Sequence, residues 1–204
     1  MTNFIKLTNY EKITLSTKDA GLTEKHIFEL HLSGVDTIGL ILALETDAFA
    51  DFSGMEYSIV KEIQGILAEN GLQMDVHSYI EDTTCDFEEP FEILSSILQE
   101  EIIKHVREYE NTSGINLVTD PIEKLDMNES LKIRLTESNK GTDRTMLISM
   151  PARSIIDIYR DLNKKPIDVS LIQDFRKYVC EIASIPMDIY EQLDKYYFVE
   201  KVCG

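Results

Sequence analysis

LKIRLTESNKGTDRTMLISM, residues 131–150, is the stretch on which the fold class turns. Leu131, Ile133 and Leu135 alternate with Lys132, Arg134 and Thr136, the period of a strand with one wet face. Residues 138–143 supply turn chemistry and 144–150 a second apolar run, so the expectation is a β-hairpin. Beyond it Pro151 opens a helix bearing Ile155, Ile156, Ile158, Tyr159 and Leu162, which Asn163 and Pro166 close. Two more helices follow, one on Leu171, Ile172, Phe175, Tyr178, Val179 and Ile182, the other from Pro186 to about Tyr197.

Towards the N-terminus the same periods alternate. Residues 4–8 read as a short strand that turns at Asn9 and Tyr10 into a second, where Ile13 and Leu15 alternate with Lys12 and Thr14. Residues 26–32 set Phe28, Leu30 and Leu32 against Ile27, Glu29 and His31, a half-buried strand. Residues 37–44 are apolar on both faces and fit a central strand or the start of a buried helix. Met55, Ile59, Val60, Ile63, Ile66 and Leu67 fall at helical spacing, with Ser53 as a cap and Asn70-Gly71 as the close, and residues 72–80 alternate as a strand. After an acidic connector at 81–89, Pro90 starts a helix whose stripe is Phe91, Leu94, Ile97, Leu98, Ile102, Val106 and Tyr109. Residues 115–118 read as a short strand before a loop around Pro121.

The expected fold class is therefore α+β: a mixed strand and helix N-terminal part with two long amphipathic helices, then a C-terminal hairpin plus three helices. Residues 1–130 form an acidic part and 131–204 a hairpin plus helical part, packed as one compact unit. Charge sets that boundary. Residues 1–130 hold 26 acidic and 8 basic side chains, and 131–204 hold 11 and 12. Residues 81–129 alone carry 14 acids against Lys104, Arg107 and Lys124. Such a field attracts basic surfaces and repels phosphate.

Residues 1–15 lack the continuous apolar stretch of a secretory signal, and the longest apolar run, 38–44, is too short to cross a bilayer. A cytoplasmic protein with no membrane partner is expected. Cys85, Cys180 and Cys203 are widely spaced and read as free thiols.

No catalytic signature stands out. His26 and His31, flanking Glu29, would point to opposite faces of a strand and share no metal. Glu101 and His105 share a helical face, which suits an ion pair. Cys85 lies near His77 in sequence, but the acids around it make it a poor thiolate. Asn139 to Thr142 read as a plain turn, and paired acids such as Asp47 and Asp51 are too numerous to discriminate. No nucleophile elbow, phosphate loop or dinucleotide fingerprint occurs, so neither a cofactor nor a metal is implied. The basic residues of the C-terminal part could face nucleic acid, yet the last helix carries Asp188, Glu191 and Asp194 against Lys195, which disfavours a duplex.

These features favour a non-catalytic acidic protein that docks on a basic, nucleic-acid-binding protein and inhibits it by imitating the phosphate ladder. Phage inhibitors of host defence and immunity proteins work in this general way, and the analogy is by charge alone. The docking residues would be Asp82, Asp86, Glu88, Glu89, Glu92, Glu100, Glu101 and Glu108. A second reading is a structural or assembly subunit of a virion or multiprotein complex, self-associating through an apolar patch at Tyr196, Tyr197, Phe198 and Val199. A third is an enzyme of an unrecognised family.

Overall fold

Both arms of the segment 131–150 are helices. In the computed structural model, which describes residues 4–74, 90–138, 142–163 and 167–203, Glu129–Glu137 and Arg144–Ser149 are α-helical, and the expected hairpin is not formed. The alternation is ambiguous by construction, because residues four apart share a face in a strand and in a helix alike. Leu131 and Leu135 are buried, whereas Ile133, which a strand would bury with them, is 53% exposed. Capping breaks the tie. The Asn128 side chain accepts the Leu131 N–H (2.8 Å) and the Asp143 side chain accepts the Thr145 N–H (2.9 Å), each satisfying a helix's orphan donor.

The same correction runs through the N-terminal half. Residues 4–8 and 12–15, expected as paired strands, give a 3-10 turn (Phe4–Lys6) and a helix, α1 (Asn9–Thr14). Thr8 and Glu11 close a capping box over it, with Glu11 N–H donating to Thr8 Oγ1 (3.2 Å) and Thr8 N–H to Glu11 Oε2 (2.8 Å). The expected strand at 26–32 is α2 (Glu24–Leu32), capped by Thr23. It buries His26 and Leu30, four apart, and leaves Phe28 and Leu32 outside. Of the two readings of residues 37–44, the helical one holds, as α3 (Gly39–Ala43).

Next come α4 (Thr46–Ser53), α5 (Tyr57–Glu69) and α6 (Pro90–Ser113). The C-terminal series is α7 (Glu129–Glu137), α8 (Arg144–Ser149), α9 (Ala152–Asn163), α10 (Val169–Ala183) and α11 (Asp188–Cys203). Among the described residues there is no sheet, and the one β contact is an isolated bridge between Ser16 and Thr37. The α+β expectation is thus overturned by an all-helical chain. Ser53, expected as a cap of α5, instead ends α4, donating to the Phe49 carbonyl (2.7 Å). Residues 72–74 are irregular, residues 75–80 of the expected strand lie outside the described residues, and 115–118 form no strand. No helix of the described residues is long and apolar enough to cross a membrane.

Packing divides the chain into two compact units, Met1–Ile97 and Leu98–Val202. In the N-terminal unit α1 packs on α3 and α4 on α5, around Ile13, Ile41, Phe49, Ile63 and Leu67. Gln64 of α5 stitches the chain between α3 and α4, donating to the Ile41 (3.2 Å) and Leu44 (3.1 Å) carbonyls and accepting from Thr46 (2.7 Å). Gly71, as expected, closes α5 at φ 78°, and a Cβ there would stand 2.7 Å from Ile5 Cγ1.

In the C-terminal unit α10 is the central helix, packed on α7, α8 and α9 through Leu171, Ile172, Phe175 and Val179. Its Arg176 is 3% exposed and fully engaged. Nε donates to the Leu147 carbonyl (3.3 Å), Nη2 to the Met150 carbonyl, and Nη1 to both oxygens of Asp194 (3.0 and 3.2 Å). Tyr190 lies under the guanidinium, 4.6 Å from ring centroid to Cζ, and donates its hydroxyl to the Ile148 carbonyl (2.9 Å). The Asp194 carboxylate also accepts the Ala152 N–H (2.7 Å) at the start of α9. A cation therefore caps the carbonyl end of α8 and an anion the amide end of α9, the signs both helix dipoles favour.

Two losses of stability follow. Asn128→Ala removes the α7 cap and lowers unfolding free energy in urea by about 1 kcal/mol, a cost a hairpin loop residue would not show. Arg176→Ala strands Asp194 and two carbonyls, and the urea transition of the C-terminal unit falls by about 3–5 kcal/mol; a loss under about 1 kcal/mol would remove Arg176 from its central place.

Candidate functional site

Of the eight carboxylates expected to dock a partner, Asp82, Asp86, Glu88 and Glu89 lie outside the described residues. The other four are on α6, where Glu92, Glu100 and Glu108 are exposed. Glu101 is not available in the same way, because its carboxylate is paired with Lys104 (3.0 Å) and His105 (3.4 Å) and its side chain is 16% exposed. Helical register separates the rest. At about 100° per residue Glu92 and Glu108 point about 160° apart, so they do not form a single stripe along α6.

A second acidic surface lies on the N-terminal unit, whose described residues, 4–74 and 90–97, carry 12 acids and 5 lysines, a net of −7. Asp47 and Asp51 sit four apart on α4 and so share a face; with Met55 and Tyr57 they line one shallow depression. Tyr57 is 51% exposed at the start of α5. Glu45 and Glu56, also exposed, bracket α4 in sequence. Glu45, Asp47, Asp51 and Glu56 have no ion pair among the described residues. Two carboxylates beside an accessible aromatic ring form a natural seat for an arginine or lysine head group.

The C-terminal unit treats its charges differently. Arg134 bonds Asp174 (2.5 Å), Asp168 (3.4 Å) and Ser170 (2.7 Å), Arg160 pairs with Asp157 (3.1 Å), Arg153 with Asp157 (3.3 Å), and Lys132 with Glu129 (3.3 Å). Arg144 donates to the Asp120 carbonyl. Most of the basic residues that the sequence offered as a nucleic-acid surface are thus spent on the unit's own carboxylates and carbonyls.

A polar cleft of that unit, about 650 Å3, is walled by Asp126, Arg134, Asp174, Lys177 and Tyr178. Burial pushes the Tyr178 hydroxyl up to about 12, so it stays protonated at neutral pH. Asp120, accepting the Asn116 N–H (2.9 Å), and Asp168, accepting from the Ser170 hydroxyl and N–H (2.8 and 2.9 Å), are both held below the usual carboxylate range. They are fixed anions at neutral pH, suited to holding positive charge and not to donating protons.

His26 and His31 are on one helix and not a strand, and they still do not meet. His26 is buried with Nε2 3.5 Å from Glu62, and exposed His31 has Nδ1 3.1 Å from Asp36. No group of three metal-ligating side chains occurs among the described residues. Cys85 and His77 lie outside those residues, as do residues 139–141 of the expected turn. The patch expected at 196–199 begins on Tyr196, which is 1% exposed.

No family model, no curated protein and no solved structure matches the chain. Sequence reading passed over Asp47 and Asp51 because paired acids recur throughout. The signal that separates them is Tyr57 six residues on, which acquires meaning only when α4 and α5 fold against each other.

Cys180 offers a test of burial. It is 6% exposed, and desolvation pushes its thiol up to about 11. At pH 8 its alkylation by iodoacetamide, followed by peptide mass mapping, is expected to be at least about a hundredfold slower in the folded chain than in urea. Comparable rates would show that α10 is not packed as described.

Proposed function

We propose that this protein is a non-catalytic docking protein whose acidic N-terminal unit occupies the basic surface of a protein partner that otherwise grips nucleic acid. The observation that carries this reading is the unequal disposal of charge. In the C-terminal unit Asp157, Asp168, Asp174 and Asp194 are each paired with an arginine, whereas Glu45, Asp47, Asp51 and Glu56 meet no cation among the described residues. Leaving carboxylates unpaired on one surface raises the local negative potential, which steers a basic partner and speeds its arrival. Asp47, Asp51 and Tyr57 take the arginine or lysine heads that would otherwise bind phosphate. Repulsion of phosphate by the same field, with Arg134, Arg144, Arg153, Arg160 and Arg176 engaged internally, makes a nucleic-acid duplex a poor direct ligand.

The test uses the whole chain as bait in lysate of its source cell, beside the variant Asp47→Asn/Asp51→Lys. Asp47 makes no capping bond in α4, whose N-cap is Glu45, and lysine suits the helix's C-terminal turn, so the variant keeps the helix. Basic nucleic-acid-binding proteins should be retained by the native chain, displaced by heparin or by salt of about 0.5 M, and retained several-fold less by the variant. Capture that is indifferent to salt, to heparin and to the variant would reject the reading.

A further inference from the structure

The helix α2 turns two large apolar side chains outward. Phe28 is 59% and Leu32 66% exposed, and four residues apart they lie one above the other on a single face. Phe28 also lines a groove of about 460 Å3 together with Lys18, Glu24, Ile27, His31 and Asp36. Isolated exposed leucines are ordinary on a protein surface, but an exposed Phe and Leu one helical turn apart, beside a groove floored in part by Ile27, make a contiguous apolar strip.

We infer that this strip and groove seat an amphipathic, basic helix of the partner, with its apolar residues on Phe28 and Leu32 and its lysines or arginines on the surrounding carboxylates. The spacing fits: a helix presents apolar side chains at i, i+3 and i+4, so successive anchors repeat at the one-turn interval that separates Phe28 from Leu32. Charge selects the sign of the guest. Glu24 and Asp36, the latter 3.1 Å from His31 Nδ1, border the groove against Lys18, and the described residues of the unit carry 12 acids against 5 lysines. A second copy of this chain would bring the same excess of carboxylates, so self-pairing is opposed where a cationic helix is drawn in. This inference rests on the acidic docking reading and names the chemistry of its partner; it adds an apolar anchor that charge alone does not provide.

The probe is a synthetic helix of about 18 residues with leucines on one face and lysines on the other, carrying one tryptophan, and a matched peptide with glutamates in place of the lysines. Because the chain contains no tryptophan, peptide fluorescence reports binding without background. The full-length native chain is expected to bind the lysine peptide with a blue shift and not the glutamate peptide. Phe28→Ser/Leu32→Ser, and in the same direction Leu32→Ser alone, weaken that binding, the double variant by about tenfold or more. Circular dichroism of these surface variants is expected to match the native chain.

Equal affinity of native chain and double variant overturns the inference. If Asp47→Asn/Asp51→Lys then abolishes binding, acidic docking stands and only the groove falls; if no variant changes binding, both fall. Absence of any lysine-peptide binding also overturns it. So does sedimentation showing a native dimer that the double variant dissolves, since the strip would then belong to a second copy.

Discussion

A buried arginine holds the C-terminal unit in its helical form. Arg176 reaches from α10 to the carbonyl end of α8 and to Asp194 of α11, and Asp194 in turn takes the first amide of α9. Short helices such as α8, six residues long, do not hold themselves together in water. Their unsatisfied termini need partners, and here one ion pair supplies them at both ends of the break around Met150 and Pro151. Tyr190 completes the arrangement from α11, bonding the Ile148 carbonyl while its ring faces the guanidinium. Burial pushes its phenol far above the usual range, so it remains a hydrogen-bond donor at any physiological pH. Four segments are tied by three polar side chains, and an uncompensated charge is what any disruption leaves behind.

The same logic separates what the sequence disclosed from what it concealed. Helices α5, α6, α9 and α10 were legible because their apolar residues recur over several turns, and Gly71 marks the end of α5. Shorter elements misled. In 26–32 and 131–136 the buried pairs, His26 with Leu30 and Leu131 with Leu135, are four apart, a separation that satisfies a strand and a helix equally. Length could not arbitrate in segments of nine residues, and the intervening apolar residues, Phe28 and Ile133, looked like evidence for a strand when they were in fact exposed. The caps Thr8, Thr23, Asn128 and Asp143 were the available counter-evidence, and the box formed by Thr8 and Glu11 is a sequence-level sign of a helix start. Arg176 with Asp194 could not have been foreseen, since 18 residues and a turn between helices separate them.

The candidate site was legible only as a charge imbalance. Counting acids identifies which part of the chain is negative, but whether a carboxylate is available depends on which cations fold against it. Glu101 shows the point: it was grouped with Glu100 and Glu108, and Lys104 pairs with it one turn along the same helix while His105 Nε2 stands 3.4 Å away. In the C-terminal unit, arginines with several donors each satisfy carboxylates and carbonyls together, as Arg134 and Arg176 do. The N-terminal unit has lysines and no arginine, too few to do the same. Glu45, Asp47, Asp51 and Glu56 stay in water, where an ion pair with an incoming guest costs little desolvation and responds strongly to salt.

Amide hydrogen exchange on the full chain, alone and bound to a captured basic partner, addresses this division of labour directly. Protection on binding is expected in residues 24–32 and 46–57, with α10 and α11 as slow to exchange before binding as after. Protection confined to residues 129–197, with the acidic helices unchanged, would contradict it.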